Sequence, residues 1–457
     1  MSRSVIRRSL RSPAVRTSAV VASVVLVAAG CGSGGSSGGG GGDSVKLKYS
    51  LWDDNQLPQY RKCAEAFHVK NPKITVEVTQ TAWAQYWQNL TTQVVSGTAP
   101  DVFTNSVLYF PQFQKNNQIQ DLTSYIQRDT VDLQQYQANL ADVWTRDGKR
   151  YGLPKDWGTM GVAYNKEMAQ RAQLTPQALD AWNWNPVDGG DFGRAVAAMT
   201  VDENGRTGLE PGFDKNKVKT YGLAIAYEGG AVGQDSWGPF AVSNGFQYVD
   251  KNPFGTKYNY TDPKLTQTLD WFAGLIKKGY MPAYDKQSTV GADGLLQSGK
   301  AAMTIAGSWM AKTYMAGGKV AFAGMPTGPT GRKTPINGLS DAVYANGKHK
   351  EQAWQWVKFL ASTECQDIVA GEAVVFPAIT TSSAKAEAAQ LAAGRDMRIF
   401  TQPVATPGQT FVLPVTDQGD RILDIVQSAV DRVWLGQADA KSALGQANSD
   451  VNALLKK

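Results

Sequence analysis

The sequence predicts an α/β protein of two lobes, each built on a mostly parallel sheet that is flanked by helices. The region from Val45 to Lys457 has about 400 residues, which is too many for one hydrophobic core and suits two lobes of ordinary size. Strand-like alternation and helical spacing take turns along this region, an order typical of a parallel sheet with both faces covered. The same order returns in the second half of the chain.

The first lobe begins with three predicted strands separated by two helices. VKLKYSLW from Val45 alternates like a strand, and the helix that follows ends at Asn71-Pro72. ITVEVT alternates again, Trp83 opens a helix with one apolar face, and GTAPDVF turns into a third strand. Ligands bind beyond the carboxyl ends of the strands in such sheets, so the residues that follow these strands are candidates for a binding site.

The second lobe repeats this order. GVAYNKEM is a strand that enters a helix, KTYGLAIAY is another strand, and apolar residues at helical spacing run from Leu265 to Ile276. LQSGKAAMTIAGSW predicts a turn and a buried strand, after which a glycine releases the chain just before Trp309. KEQAWQWVKFLASTECQDIVAG predicts a long helix that ends near Gly371.

Residues 1–30 are predicted to be an export signal. Arginines without any acidic residue precede an apolar run from Ala19 to Ala29, which is about half the length that a membrane-spanning helix needs. Ala28, Ala29 and Gly30 before Cys31 resemble a bacterial lipobox, in which the cysteine is diacylated and becomes the mature N-terminus. The alternative is an ordinary secretory cleavage site, and the export route, general secretory or twin-arginine, stays open.

A flexible tether follows Cys31, since residues 32–44 are almost entirely glycine and serine. Its expected end-to-end distance is about 20 Å, so the folded region is held near a membrane and is free to turn. Removal of the five signal arginines lowers the formal charge from +6 to about +1. The apparent basicity therefore implies no nucleic-acid partner.

Residues suited to catalysis or metal binding are scarce. His68 and His349 have no second histidine or cysteine at ligand spacing, and the chain has no Gly-x-Ser-x-Gly or phosphate-binding motif. DENGRTG at Asp202 resembles a calcium loop only faintly and is interpreted as a turn. An enzyme acting on glycans, one alternative function, needs a paired acid and base across a cleft, and no such pair stands out. We therefore predict a protein that is not an enzyme and that has no cofactor or metal.

Tryptophan and nearby polar residues point instead to binding of a sugar. Trp52, Trp157, Trp237 and Trp309 lie after strands or among glycines, where a core residue is less expected. Aromatic rings cover the apolar faces of a sugar, while carboxylates and amides bond its hydroxyl groups. Core packing of the tryptophans and helix capping by the aspartates are the alternatives. Clustered tryptophans also form cages for quaternary ammonium solutes, which is the second alternative function.

Several segments, taken in order, resemble a known family. PDVF, YGLP followed by GVAYNK, SGKAAMTIAGSW, INGLSDAVYA, EQAWQWVKFLASTECQ and VVFPA resemble the family 1 extracellular solute-binding proteins of ABC importers, the maltose-binding-protein-like sugar receptors. Each motif alone is weak, but their order in an exported chain of this length is specific. Two segments within residues 179–217 depart from the family pattern, LDAWNWNPVDGGDFGRAVAAMT and VDENGRTGLEPGFDKNK. The resemblance therefore does not fix the shape of the rim of the second lobe.

The resemblance implies a periplasmic-binding-protein-like fold with a hinge of several chain crossings. The implied regions are a signal peptide at 1–30, lipidated cysteine and tether at 31–44, first lobe at 45–152, second lobe at 153–334, a return to the first lobe at 335–382, and the second lobe again at 383–457. The implied function is a lipid-anchored, monomeric receptor on the outer face of the cell membrane that delivers a sugar to ABC permease subunits. The predicted ligand-binding residues are Trp52, Asp53, Asp54, Trp83, Asn105, Asp156, Trp157, Asp235, Trp237, Trp309, Asn337 and Gly338.

A disulfide between Cys63 and Cys365 is also expected. Export removes the reducing compartment, and two cysteines remain after lipidation of Cys31. The chain path implied by the resemblance returns the helix around Cys365 to the first lobe, where Cys63 lies. Two separate buried thiols are the alternative.

Overall fold

The structure is a computed structural model that describes residues 44–137, 140–227, 229–287 and 290–456. The described residues from Ser44 onward belong to one compact unit. The predicted signal peptide, Cys31 and nearly all of the tether lie outside the described residues. Within the described ranges, no helix is long and apolar enough to cross a membrane.

The strands form one large and several small sheets. In chain order they are β1 (Val45–Leu51), β2 (Ile74–Gln80), β3 (Val102–Ser106), β4 (Thr145–Arg146), β5 (Lys149–Arg150), β6 (Leu153–Gly158), β7 (Met160–Asn165), β8 (Val201–Asp202), β9 (Val218–Thr220), β10 (Met303–Gly307), β11 (Val320–Gly324), β12 (Thr327–Gly328), β13 (Gly331–Arg332), β14 (Thr334–Val343), β15 (Phe376–Pro377) and β16 (Thr410–Val412).

Helices cover both faces of the large sheet and also surround the three-stranded sheet. They are α1 (Leu57–Lys70), α2 (Trp83–Ser96), α3 (Phe110–Lys115), α4 (Thr123–Arg128), α5 (Lys166–Arg171), α6 (Pro176–Ala181), α7 (Gly190–Met199), α8 (Gly238–Ser243), α9 (Pro263–Lys278), α10 (Tyr284–Gln287), α11 (Gly291–Gln297), α12 (Ala311–Met315), α13 (Lys350–Leu360), α14 (Thr363–Glu372), α15 (Thr380–Ala392), α16 (Arg398–Ala405), α17 (Gly419–Trp434) and α18 (Ala440–Leu454). Short 3₁₀ helices lie at Asp142–Trp144 and Ser308–Met310.

The first lobe is built on a seven-stranded sheet. Its order is β15-β6-β14-β3-β1-β2, and β16 pairs with the start of β14. The strands β1, β2 and β3 are parallel, as predicted, because helices cross between them. β14 is antiparallel to β3 and to β6, since it enters this lobe from the edge at which β3 and β6 end.

The second lobe has a three-stranded sheet in which β7 lies between β10 and β11. Both neighbours are antiparallel to β7, so the prediction of a mostly parallel sheet is wrong for these pairs. The cause is the chain path: β7 continues directly from β6, and it enters between two strands that are joined to each other by a crossover through α12. Isolated parallel bridges from Tyr221 and Ala224 extend the sheet beside β10.

Separate hydrophobic cores support the two lobes. In the second lobe, β7, β10 and β11 pack with α7, α9, α17 and α18. In the first lobe, Val102 points into the core under α1, α13 and α14, while its neighbour Phe103 points into the core under α2 and α3. Because successive strand residues face opposite ways, these two cores lie on opposite faces of the sheet. Trp354 and Trp356 of α13 are fully buried.

A disulfide joins Cys63 of α1 to Cys365 of α14, which confirms the predicted pair. The two Cα atoms are 5.3 Å apart and are separated by 302 positions in the chain. Both cysteines are fully buried in the same core. The bridge therefore ties an early helix of the first lobe to a late one.

The chain passes between the two sheets at Thr159, between β6 and β7, and again at the start of β14. These crossings are bonded to each other, because the Met160 amide donates to the Thr334 hydroxyl over 2.8 Å. The Thr159 hydroxyl donates to the Phe400 carbonyl, also over 2.8 Å. α15 packs in the first lobe, where its Ala386 joins the core.

Candidate functional site

The carboxyl-terminal edge of the seven-stranded sheet brings several predicted site residues together. Trp52 and Asp53 follow β1, and Asn105 lies near the end of β3. The strand register places Ser340 opposite Asn105. It also places Gly338 opposite Trp157, and Asn337 opposite Gly158. Segments far apart in the sequence therefore converge at one edge, as expected for a site in such a sheet.

Buried polar atoms without a hydrogen-bond partner mark this edge. Among the described residues they include Asn105 Nδ2, Asp156 Oδ2, Trp157 Nε1 and Ser308 Oγ. Each of these side chains belongs to a residue that is at most 4% exposed. Since buried polar groups in proteins almost always have a partner, these four atoms near one edge are candidates for hydrogen bonds to a bound molecule.

Trp309 stands between the two lobes. It follows β10 and is partly buried, with contacts to the core of the second lobe and to the α1–α14 core of the first. It packs so closely that a Cβ atom on Gly158 would lie 3.0 Å from its ring and 2.7 Å from Ser308 Oγ. Beside it, the ring of Trp157 stacks on Phe376 with centroids 4.8 Å apart. The absence of a side chain at Gly158 is thus what lets Trp309 approach the end of β6.

An aromatic wall extends the site along the first lobe, formed by Trp52, Trp83, Tyr86, Trp87 and Tyr109. Trp52 contacts Trp83, Tyr86 and Trp87 with centroid distances of 5.1, 5.1 and 5.5 Å. Trp87 stacks on Tyr109 at 3.8 Å. Trp83 is 49% exposed, so one ring of the wall faces solvent. The wall thus offers apolar surface on the first lobe.

A buried charge network lies under the edge. Lys155 is 4% exposed and donates to Tyr49 Oη over 2.9 Å and to Thr104 Oγ1 over 2.8 Å. Its ammonium group lies 3.8 Å from Asp341 Oδ1 and 4.0 Å from the centre of the Tyr60 ring. Burial raises the pKa of Tyr60, and the nearby aspartates add to the effect. The network compensates the buried positive charge of Lys155, and it holds β1, β3, β6 and β14 together.

Asp156 carries a carboxyl group that is not easily ionised. Burial raises its pKa to about 7, the positive charge of Lys155 opposes this, and the negative charges of Asp341 and Asp53 add to it. Near neutral pH the group is therefore divided between a carboxylate that accepts hydrogen bonds and a carboxylic acid that donates one.

The sequence matches a family model described as bacterial extracellular solute-binding protein over residues 62–395, which is most of the chain. The chain belongs to this family. The two-lobed α/β fold agrees with it: the solute-binding protein superposes on an ABC substrate-binding protein of Listeria monocytogenes, solved with cycloalternan, with a TM-score of 0.78 and 20% identity over 91% of this chain and 100% of the other.

Relatives in other bacteria match this solute-binding protein along nearly its full length. The galactooligosaccharide-binding protein of Bacillus subtilis is 24% identical and covers 89% of each chain. A maltooligosaccharide ABC transporter solute-binding lipoprotein of Streptococcus pneumoniae is 24% identical and covers 98% of each chain. The predicted family resemblance is confirmed by these matches and by the family model.

Other predicted site residues of the solute-binding protein lie in a core, are exposed or make local hydrogen bonds. Trp237 is fully buried in the core of the second lobe, and its indole N–H donates to the Gly230 carbonyl over 2.9 Å. The structure therefore places Trp237 in the core of the second lobe rather than at the converging edge, because a glycine-rich loop wraps the ring. Asp235, next to that loop, lies within electrostatic reach of Tyr314. Asp53 accepts from the Asn55 amide and from Gln56 Nε2, and Asp54 is exposed.

Three buried polar residues near the candidate site of this solute-binding protein were not predicted from the sequence. Lys155, Asp341 and Ser308 were not among the predicted residues, although each is buried at the converging edge. A signal existed for Lys155, since a lysine inside the apolar strand LPKDWG must find a buried partner. That partner, Asp341, lies 186 positions away in the chain, where spacing carries no information. Among the described residues, no cluster of histidine, cysteine or acidic side chains could hold a metal ion.

Proposed function

We propose that this protein is a lipid-anchored receptor of an ABC importer that captures a sugar or oligosaccharide between its lobes. The observation that carries the proposal is the position of Trp309, which contacts the cores of both lobes beside four unpartnered buried polar atoms of the sheet edge. A solute at this position touches both lobes at once, and contacts that exist only in the closed arrangement drive closure.

The composition of the edge favours a saccharide over other small solutes. Asn105, Asp156 and Ser308 supply donors and acceptors in fixed positions, which suit a belt of hydroxyl groups. Trp309 and the aromatic wall supply flat apolar surface for the faces of sugar rings. The relatives named for galactooligosaccharides and maltooligosaccharides support the same class of ligand.

Calorimetric titration with a saccharide panel tests this function. We expect maltotriose, a galactooligosaccharide or another neutral oligosaccharide to bind with micromolar or tighter affinity and to remain chemically unchanged. Glycine betaine is the parallel probe for the quaternary ammonium alternative, and chromatography of the sugars after incubation tests for glycan cleavage. Binding of betaine alone, or cleavage of a sugar, would overturn the proposal.

We propose further that Cys31 carries the lipid that holds the receptor on the outer face of the membrane. The small residues before Cys31, the glycine-serine tether after it and the relative named as a lipoprotein support this. Mass spectrometry of the protein from the membrane fraction should show the mass of a diacylglyceryl group at residue 31. A Cys31→Ala protein that still fractionates with membranes would contradict it.

A further inference from the structure

The loop after β3 and the first turn of α17 form a contact between the lobes. Leu108 packs against the second-lobe core and against the α2–α3 core of the first lobe. Gly419, the first residue of α17, lies so close that a Cβ atom on it would be 2.2 Å from the Leu108 carbonyl oxygen. The next loop residue, Tyr109, belongs to the aromatic wall. The position of α17 is thus coupled sterically to the wall.

An ion pair lies next to this contact. Arg146, which follows the Trp144 of the first-lobe core, donates from Nη1 to Asp417 Oδ1 over 2.6 Å and from Nη2 to Oδ2 over 3.1 Å. The two side chains are only 20% and 22% exposed. Burial alone would raise the pKa of Asp417, but the hydrogen bonds and charge of Arg146, with Lys115, outweigh it and lower this pKa. The pair is bidentate and partly shielded from solvent, the geometry in which such pairs are strongest.

An aromatic ring from the second lobe completes the contact. The guanidinium carbon of Arg146 lies 4.6 Å from the centre of the Phe254 ring. That ring also packs in the α2–α3 core, 6.4 Å from Phe110. The Phe254 amide donates to the Val415 carbonyl over 2.6 Å, two residues before Asp417. The loop around Phe254 and the segment before α17 therefore meet Arg146 together.

We propose that Arg146, Phe254 and Asp417 form an interlobe clamp that holds the lobes in the arrangement that encloses the solute, and that they are positioning residues for capture. This inference rests on the proposed function, since it assigns the clamp a role in affinity. A receptor whose binding-competent arrangement is less populated binds with an affinity reduced by that fraction. Removal of the clamp thus weakens capture although none of its residues belongs to the converging sheet edge.

The test compares single and paired variants of the full chain. Arg146→Ala should raise the dissociation constant for the bound saccharide of the panel about five-fold or more, with little change in melting temperature. The charge exchange Arg146→Asp with Asp417→Arg should recover a substantial part of that loss. Arg128→Ala is the matched control, since Arg128 pairs with Asp129 and Glu351 inside the first lobe alone. The saccharide affinity of this control variant should be unchanged.

Hydrogen–deuterium exchange gives a second readout that needs no ligand. Arg146→Ala, and Gly419→Ala through its clash with Leu108, should speed exchange in peptides covering 106–113 and 250–258. Gly445→Ala is the control for Gly419→Ala, because nothing lies within 4 Å of a Cβ at this other helical glycine. Unchanged exchange and affinity in both variants would overturn the clamp. Faster exchange together with no saccharide binding would uphold the clamp and overturn the sugar receptor.

Discussion

We expect Trp309 and Trp237, two tryptophans near glycines, to have different roles. Trp309→Ala should weaken saccharide affinity about 30- to 1000-fold, because loss of a ring that covers a ligand face costs about 2–4 kcal/mol at a binding hot spot. Trp237→Ala should instead lower the free energy of unfolding by about 3–5 kcal/mol and leave the affinity of the folded fraction unchanged, since this ring is fully buried. Titration and thermal melting of both variants decide between these roles. Equal affinity losses would contradict the assignment.

Asp156 should make stability depend on pH in an unusual direction. Its folded pKa of about 7 lies above the ordinary value of 3.8, so the folded state binds more protons between these values, and this group's contribution to stability falls as pH rises from about 4 to 7. The total loss is at most about 4 kcal/mol. Asp156→Asn cannot ionise and should lack this decline.

The measurement is urea unfolding of the wild type and of Asp156→Asn at pH 4, 5.5 and 7. The difference between the two proteins isolates this carboxyl group from the many carboxylates whose pKa is lowered. A constant difference across the pH range would show that Asp156 is ionised in the fold like an ordinary aspartate.

At the scale of elements, the disulfide should stabilise the packing of α1 on α14. Cys63→Ala with Cys365→Ala should lower the free energy of unfolding by about 2–5 kcal/mol, because the bridge limits the freedom of a long loop in the unfolded chain. Cys31→Ser is the matched control, since it removes a cysteine that takes no part in the bridge. If both proteins unfold at the same urea concentration, the bridge contributes nothing.

Elements whose patterns are local could be predicted, and those fixed by distant partners could not. The alternation in VKLKYSLW and ITVEVT identified β1 and β2 and their parallel pairing. The antiparallel pairing of β7 was missed, because direction depends on where the chain crosses the hinge. Trp52 and Asn105 were placed at the correct edge by strand order, whereas the partner of Lys155 depended on β14, far along the chain. The burial of Trp237 could not be predicted, because a glycine-rich loop can present a ring or enclose it.

At the scale of the whole molecule, the two lobes are interleaved in the chain, so neither should fold as a simple fragment. A chain that ends at Lys333 lacks β14, which separates β3 from β6, and it also lacks α13 and α14 of the first-lobe core. We expect this fragment to show no cooperative melting transition by circular dichroism, while the full chain melts cooperatively. A cooperative transition in the fragment would mean that residues 45–333 contain a self-sufficient core.

The central place of β14 also bears on how the protein leaves the cell. The first-lobe sheet has an open gap between β3 and β6 until residues 334–343 are available, almost 300 positions after β1 begins. Pairings between such distant segments form slowly, because a long stretch of chain must be closed first. We therefore expect the emerging polypeptide to stay loosely structured until it is nearly complete. A chain in that condition can be threaded through a narrow secretion channel and can acquire its final shape on the far side of the membrane.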